Sequence, residues 1–200
     1  IRSAYDDAER ITIRGTGGRS GIAGGHERGR LRGQRRLLSR LADACDAMAH
    51  GVGRGALSKG RSSHVFLVFG KRGQLASALA RIAHAEGASV VCYGRDAVDL
   101  ADSGAVGALV RSVRPTLVVN AAAYTAVDRA EDEPAAAFAL NRDGPAALAE
   151  VCAAIDVPLV HVSTDYVFDG AKPAPYVETD PKAPLNVYGR SKSEGEDRVL

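Results

Sequence analysis

Three side chains near the end of the sequence have the types and spacing needed to reduce a carbonyl group. Tyr188 precedes Lys192 by four residues, and Thr164 lies 24 residues upstream of Tyr188. A lysine one helical turn after a tyrosine lies on the same face, where its ammonium lowers the pKa of the phenol and makes it a usable proton donor. Thr164 would hold the substrate oxygen within reach of that proton. Because this spacing also occurs by chance on amphipathic helices, its structural context decides.

A glycine turn between a predicted strand and a predicted helix provides part of that context. Residues 64–69 form a short apolar run that is typical of a buried parallel strand. Gly70 and Gly73 follow in a Gly-x-x-Gly-x-x-Ala pattern, with Gln74 and Leu75 at the start of the predicted helix. Glycines let the backbone approach a pyrophosphate, and the helix N-terminus attracts its negative charge. The spacing differs from the usual Gly-x-Gly-x-x-Gly fingerprint.

Strands and helices continue to alternate after this turn. Further strands are predicted at residues 89–93, 116–119 and 158–162, and helices at residues 102–114, 134–141 and 145–155. This order indicates a Rossmann-like, doubly wound α/β fold with a parallel sheet, whose ligands bind at the carboxyl ends of the strands. Gly70, the small residues 121–123 and Thr164 all lie at such ends. We therefore expect residues 64–200 to form a nucleotide-binding domain.

Four phrases of the sequence closely resemble the dTDP-4-dehydrorhamnose reductases, which are extended short-chain dehydrogenases. The phrases are FGKRGQL at residues 69–75, VNAAAYTAVD at 119–128, STDYVFDG at 163–170 and PLNVYGRSK at 184–192. The resemblance implies reduction of the C4 ketone of dTDP-4-dehydro-L-rhamnose to dTDP-L-rhamnose by a reduced nicotinamide. It also implies that Tyr188 donates the proton, that Lys192 lowers its pKa and binds ribose, and that Thr164 and Asp165 hold the sugar.

The same resemblance implies which residues bind the cofactor. The expected set is Gly70, Gly73, Gln74 and Leu75 at the pyrophosphate, Asp99 and Leu100 at the adenine, Ala122 against the nucleotide, and Ala123, Tyr124 and Thr125 on the nicotinamide side, with Tyr188 and Lys192.

Arg95 bears on which nicotinamide is used. It follows the second predicted strand, where an acidic residue binds the 2′-hydroxyl of NAD and an arginine accommodates the 2′-phosphate of NADP. We expect NADPH, with NADH as the alternative, although a solvated loop arginine would look the same. No metal is expected, and His161, in an apolar strand, is interpreted as a core residue and not a metal ligand.

Residues 1–63 differ from the rest of the chain in composition. They hold 13 of the 26 Lys and Arg residues but 6 of the 24 acids, a net charge of +7, and 12 of the 22 glycines. Apart from an amphipathic helix predicted at residues 34–49, little there can build a core. We expect a disordered extension, or translated sequence upstream of the true start, outside the fold. A nucleic-acid-binding tract and a targeting peptide are less favoured alternatives.

The remaining expectations concern extent, partners and compartment. Members of the resembled family continue for some hundred residues past the Tyr-x-x-x-Lys helix, so we expect the C-terminal substrate part to be missing here. The expected partner is a nucleotide sugar, with a homodimer left open, and neither membrane nor nucleic acid is expected. Isolated cysteines favour the cytoplasm.

Two alternatives stay open: another nucleotide-sugar reductase or epimerase of this class, and a non-catalytic binding subunit, such as the regulatory subunit of methionine adenosyltransferase, which the chain resembles less closely.

Overall fold

The strands of the sheet are short, and most of their residues are apolar. A computed structural model describes residues 10–14, 20–24, 65–85 and 89–200. The strands are β1 (Arg10–Arg14), β2 (Ser20–Gly24), β3 (Val65–Phe69), β4 (Ser89–Tyr93), β5 (Leu117–Asn120) and β6 (Leu159–Val162). The helix predicted at residues 34–49 lies outside the described residues.

Helices lie between and after the strands, and those at residues 74–85, 103–113, 134–138 and 144–154 correspond to the helices that the periodicity predicts. They are α1 (Gln74–Ala85), α2 (Ser103–Val113), α3 (Val127–Asp132), α4 (Pro134–Phe138), α5 (Gly144–Ala154) and α6 (Val187–Val199). A π turn, Ala139–Asp143, joins α4 directly to α5, and a 3-10 turn, Asp165–Val167, follows β6. The two helices expected between residues 134 and 155 therefore form one helical stretch with a π turn inside it.

The sheet has the strand order β2-β1-β6-β5-β3-β4. The four strands β6, β5, β3 and β4 are parallel, which confirms the predicted doubly wound α/β class. In the register, Phe69 pairs with Asn120 and Asn120 with His161, so the carboxyl ends of three strands are aligned. Groups that follow these residues therefore lie at one edge of the sheet.

Helices cover both faces of these parallel strands, because successive residues of a strand point to opposite faces. Leu67 and Phe69 of β3 belong to a core cluster with residues of α2 and α5, such as Val110 and Leu148. Val68, between them, belongs to a second cluster that includes residues of α1. This two-sided burial explains why the strands read as continuous apolar runs.

Strands β1 and β2 differ from the prediction for residues 1–63. They pair with each other as antiparallel strands, and β1 also pairs antiparallel with β6. The expectation that this segment lies entirely outside the fold is therefore wrong for these ten residues. The sequence Arg-Ile-Thr-Ile-Arg at residues 10–14 has the period-two alternation of a strand, and an exposed sheet edge pairs readily with such a segment.

Within the described ranges, no helix is both long enough and apolar enough to pass through a lipid bilayer.

Candidate active site

Helix α6 begins at a cap that fixes the position of Tyr188. The backbone of Asn186 is extended, and its Oδ1 accepts a hydrogen bond from the Gly189 N–H at 2.7 Å. An Asn cap of this kind satisfies a first-turn donor that has no partner inside the helix. Glu131 of α3 accepts from the Val187 N–H, also at 2.7 Å. The first turn of α6 is therefore held from two sides.

The Tyr188 hydroxyl lies beside Thr164 at the carboxyl end of β6, as the sequence predicts. Tyr188 is 9% exposed, and its ring makes an edge contact with Tyr166, with centroids 5.5 Å apart. Burial raises the pKa of Tyr188, a hydrogen bond with the Thr164 side chain lowers it, and the nearby Asp165 and Tyr166 raise it. The net direction is upward, so the phenol keeps its proton at neutral pH.

Lys192 is placed differently from the prediction. It is 1% exposed, and its Nζ donates to the carbonyl oxygen of Val162 at 2.6 Å. Burial lowers the pKa of Lys192 to about 8, with the nearby Glu196 acting in the opposite direction. The expected lowering of the Tyr188 pKa by Lys192 is not what the structure shows, because the amine is directed at the backbone of β6 and the pKa of Tyr188 is raised.

His161 and Asn120 form a polar contact beneath Lys192 that sequence reasoning missed. His161 is fully buried, as a core residue should be, but its Nε2 lies 3.3 Å from Lys192 Nζ. Its Nδ1 lies 3.1 Å from Nδ2 of Asn120. Burial and the neighbouring Lys192 lower the pKa of His161 well below its ordinary value, so the ring is neutral. The available signal was the register, since Asn120 ends β5 and His161 lies one residue before the end of the adjacent parallel strand β6.

Asn141, in the π turn, connects α6 to the loop after β5. Its Oδ1 accepts from the Tyr124 N–H at 2.8 Å, and its Nδ2 donates to the Tyr124 carbonyl at 3.0 Å and to Ser191 Oγ at 2.9 Å. Ser191 in turn donates to the Tyr188 carbonyl at 2.7 Å. This buried amide ties the loop to the helix that carries Tyr188 and Lys192, and no sequence pattern marked it.

A cavity of about 560 Å³ opens at the carboxyl ends of β3, β4 and β5. Its volume is in the range of small-molecule sites. Most of the predicted cofactor residues line it: Gly70, Gly73, Arg95, Asp99, Leu100, Ala122, Ala123, Tyr124 and Thr125.

Gly70 lets the turn after β3 approach the end of β5 closely. Its φ is +113°, and a Cβ there would lie 2.9 Å from the backbone carbon and oxygen of Ala121. Any other residue would be strained and crowded. Gln74 and Leu75 open α1 just past this turn, and Leu75 packs against the cluster that contains Ala76.

Two side chains of the cavity lining, Arg95 and Tyr124, make polar contacts with charged groups. Arg95 is 83% exposed and forms an ion pair with Asp99 at 3.3 Å. The Tyr124 hydroxyl donates to Glu133 at 2.6 Å. This hydrogen bond is the main reason why the pKa of Tyr124 is raised. Tyr124 also packs against the apolar cluster that contains Tyr188. Tyr124 therefore connects the lining of the cavity to the cluster that contains the candidate proton donor, and Tyr188 itself is not a lining residue.

Among the described side chains, no three His, Cys, Asp or Glu residues are grouped as a metal site requires.

Comparison with known proteins agrees with this arrangement. The family model described as RmlD substrate binding domain matches residues 64–200. The chain belongs to this family. The RmlD match covers every element described from β3 onwards, and it confirms the resemblance found in the sequence.

The relatives of this RmlD-family chain include several proteins named dTDP-4-dehydrorhamnose reductase. The chain is 54% identical over 132 residues to the dTDP-4-dehydrorhamnose reductase of Sinorhizobium fredii, covering 66% of this chain and 44% of the relative. It is 46% identical over 135 residues to the reductase of the same name from Streptomyces griseus, covering 68% of this chain and 44% of that protein. The chain thus spans less than half the length of these relatives.

A solved structure shares the fold. The crystal structure of dTDP-4-dehydrorhamnose reductase from Bacillus anthracis in complex with NADP superimposes with a TM-score of 0.66 at 31% identity. The match covers 70% of this chain and 50% of that one.

Proposed function

We propose that this chain forms the cofactor-binding and proton-donating part of an NADPH-dependent dTDP-4-dehydrorhamnose reductase. Its reaction is reduction of the C4 ketone of dTDP-4-dehydro-L-rhamnose to dTDP-L-rhamnose. Residues 64–200 are the NAD(P)-binding domain in this proposal. The names of the relatives support the substrate, and the NADP complex of the Bacillus anthracis enzyme supports the cofactor.

One observation carries the proposal. A tyrosine that keeps its proton, Tyr188, is hydrogen-bonded to Thr164 at the carboxyl end of β6, and its cluster packs against Tyr124, which lines the cavity. A general acid needs a proton to give and an acceptor held within hydrogen-bond reach. Tyr188 meets the first requirement, and Thr164 can orient the acceptor for the second.

The residues present fit a dinucleotide. Gly70 and the start of α1 form a turn that a pyrophosphate can approach. Arg95 is exposed at the cavity edge, where its guanidinium can pair with a 2′-phosphate. When bound, the nicotinamide supplies a hydride to the C4 carbon of the sugar.

The protein supplies the proton and the orientation. As the C=O π bond breaks, a C–H bond forms at C4, and Tyr188 gives its phenolic proton to the ketone oxygen. Thr164 and Asp165 hold that oxygen and the neighbouring sugar hydroxyl. Asn141 holds the loop at Tyr124 in a fixed position relative to helix α6. This fixes the distance between the cavity lining at Tyr124 and the proton donor Tyr188.

The partner in this proposal is the nucleotide sugar, and a homodimer stays a prediction of the sequence. We place the protein in the cytoplasm, because its three cysteines are isolated in the sequence, which fits a reducing compartment.

The test uses a chimera. Residues 64–200 replace the matching portion of the Sinorhizobium fredii reductase, whose remaining length this chain does not cover. NADPH oxidation that depends on dTDP-4-dehydro-L-rhamnose, with dTDP-L-rhamnose identified by mass spectrometry, is the expected result. A folded chimera that binds NADPH but produces no dTDP-L-rhamnose contradicts the proposal.

A further inference from the structure

A directed chain of hydrogen bonds runs from the cofactor cavity to Lys192. It begins at the Ala122 N–H, which donates to Oδ1 of Asn120 at 3.2 Å. Because a backbone N–H can only donate, this contact fixes which end of the Asn120 amide faces it. The Nδ2 of Asn120 therefore faces Nδ1 of His161, at 3.1 Å.

The amide orientation decides where His161 carries its proton. The Nδ2 of Asn120 can only donate, so Nδ1 of His161 accepts, and the single proton of the neutral ring lies on Nε2. That Nε2–H faces Lys192 Nζ at 3.3 Å, while Nζ donates to the Val162 carbonyl at 2.6 Å. The chain is complete when Nζ has a lone pair to accept with, which is the uncharged amine.

We propose that His161 is a positioning residue for Lys192, which donates from Nε2 to the lysine amine and couples the protonation of Lys192 to Asn120 at the edge of the cofactor cavity. An ammonium has no lone pair. When Lys192 is protonated, the proton of the ring must therefore lie on Nδ1, and Asn120 must turn its oxygen towards His161. The Ala122 N–H then loses its acceptor. The role of this coupling in catalysis rests on the proposed function.

The surroundings of Lys192 allow both its ammonium form and its amine form to be populated near pH 8. Burial favours the amine, and Glu196, one turn later on α6, favours the ammonium, which together give Lys192 a pKa of about 8. Lys182 Nζ, 3.5 Å from Glu196, offsets part of that carboxylate's charge. Three charged side chains on elements packed against α6 are engaged elsewhere: Asp165 acts on Tyr188, Glu131 accepts from the Val187 N–H, and Arg142 pairs with Asp143 and Glu194.

Nuclear magnetic resonance tests the coupling directly, because the chain has only five lysines and five histidines. The ¹⁵N shifts of His161 and of Lys192 Nζ are followed in the labelled 200-residue chain from neutral to alkaline pH. We expect an Nε2–H tautomer at alkaline pH that changes to Nδ1–H with the same midpoint as the Lys192 titration. Ring shifts that stay constant through that titration, or an Nδ1–H ring at alkaline pH, overturn the proposal.

Two amide substitutions of His161 distinguish its role as a hydrogen-bond donor to Lys192 from its role in filling the core. His161→Gln can present an N–H where Nε2 was, whereas His161→Asn reaches Asn120 but not Lys192. We expect His161→Asn to raise the Lys192 midpoint by about one pKa unit, the size of one lost hydrogen bond, and His161→Gln to leave it nearly unchanged. Equal midpoints in the wild type and His161→Asn overturn the proposal.

These measurements need neither sugar nor cofactor, so failure of the reductase assignment does not affect them. In the chimera, His161→Asn should shift the pH profile of kcat towards alkaline pH together with the Lys192 midpoint. Loss of activity at every pH with no shift would indicate a purely structural role and would contradict the coupling.

Discussion

Tyr188 is suited to donate a proton for a different reason from the one that its spacing suggests. The sequence places an ammonium one turn away to acidify the phenol, whereas in the structure burial dominates and the pKa rises. A raised pKa keeps the phenol protonated, and the hydrogen bond with Thr164 fixes its direction. Tyr188 therefore donates from a phenol that holds its proton at neutral pH, and not from a phenol whose pKa Lys192 has lowered.

Replacing Tyr188 with Phe in the chimera should lower the rate of reduction by about 10²–10⁴, the usual contribution of a positioned general acid. NADPH affinity should change little, because the ring and its packing remain. Tyr166→Phe is the matched control, since Tyr166 contacts the Tyr188 ring but is exposed. Stopped-flow hydride transfer measures both, and a wild-type rate in Tyr188→Phe would rule out this role.

Arg95 provides the test of cofactor choice. Removing its guanidinium by Arg95→Ala should weaken NADPH binding by roughly tenfold, since a charge-assisted bond is lost at an exposed site. NADH, which has no 2′-phosphate, should bind as before. Arg111→Ala, an exposed arginine on α2, serves as the control. Equal losses for both cofactors in a fluorescence titration would show that Arg95 does not contact the phosphate.

For the individual site residues, the sequence predicts which side chains lie close together but not in which direction each side chain points. The neighbourhood of Thr164 and Tyr188 follows from the strand-end rule and from the length of the connecting segment. The direction of Lys192 does not, because it depends on the Val162 carbonyl and on the ring of His161. Neither a backbone acceptor nor a tautomer leaves a pattern in the residue types.

Among the elements, α6 crosses the π turn at very short range. A Cβ on Gly195 would collide with the backbone carbonyl oxygen of Asn141, and a Cβ on Gly189 would collide with that of Tyr166. Both neighbours are backbone atoms, which cannot rotate away. These two glycines let α6 lie against the π turn and the 3-10 turn, and so bring Tyr188 to Thr164.

Gly195→Ala should therefore destabilise the protein by about 1–3 kcal/mol, the usual cost of overpacking, even though alanine favours helices. Gly104→Ala is the matched control, because its Cβ would meet Oδ1 of Asp102 at an ordinary 3.4 Å on the exposed start of α2. That variant should be neutral or slightly stabilising. Urea unfolding compares them, and similar stabilities for the two variants would contradict the close crossing.

The elements differ in how readily the sequence reveals them. Strands β3 to β6 show as short apolar runs, and helices α1 and α2 show apolar residues at helical spacing. The π turn is invisible, because one extra residue per turn hardly changes the spacing of apolar side chains over so short a stretch. β1 has an alternating pattern that the surrounding basic and glycine-rich residues obscured, whereas β2, Ser-Gly-Ile-Ala-Gly, has none.

For the molecule as a whole, burying Lys192 links stability to pH. Its pKa is about 8 in the folded state against an ordinary 10.5. Between these values the unfolded chain binds a proton that the folded chain does not, so the free energy of unfolding rises with pH across this window.

Comparison with Lys192→Met isolates this contribution. The stability of the wild type relative to Lys192→Met should increase by on the order of 2 kcal/mol as pH rises from about 8 towards 10. Other titrating groups act on both proteins alike and cancel. Urea unfolding at each pH measures the difference, and parallel curves would mean that Lys192 titrates in the folded protein as it does in water.

A single reaction tests most directly whether NADPH transfers hydride to sugar C4 while Tyr188 donates the proton. The chimera is given dTDP-4-dehydro-L-rhamnose and NADPH that carries deuterium at nicotinamide C4, and the product is examined by mass spectrometry and proton resonance. We expect dTDP-L-rhamnose with deuterium at sugar C4, formed at a rate that falls with Tyr188→Phe and not with Tyr166→Phe. Absence of C4 deuterium, or equal rates in the two variants, would contradict this mechanism.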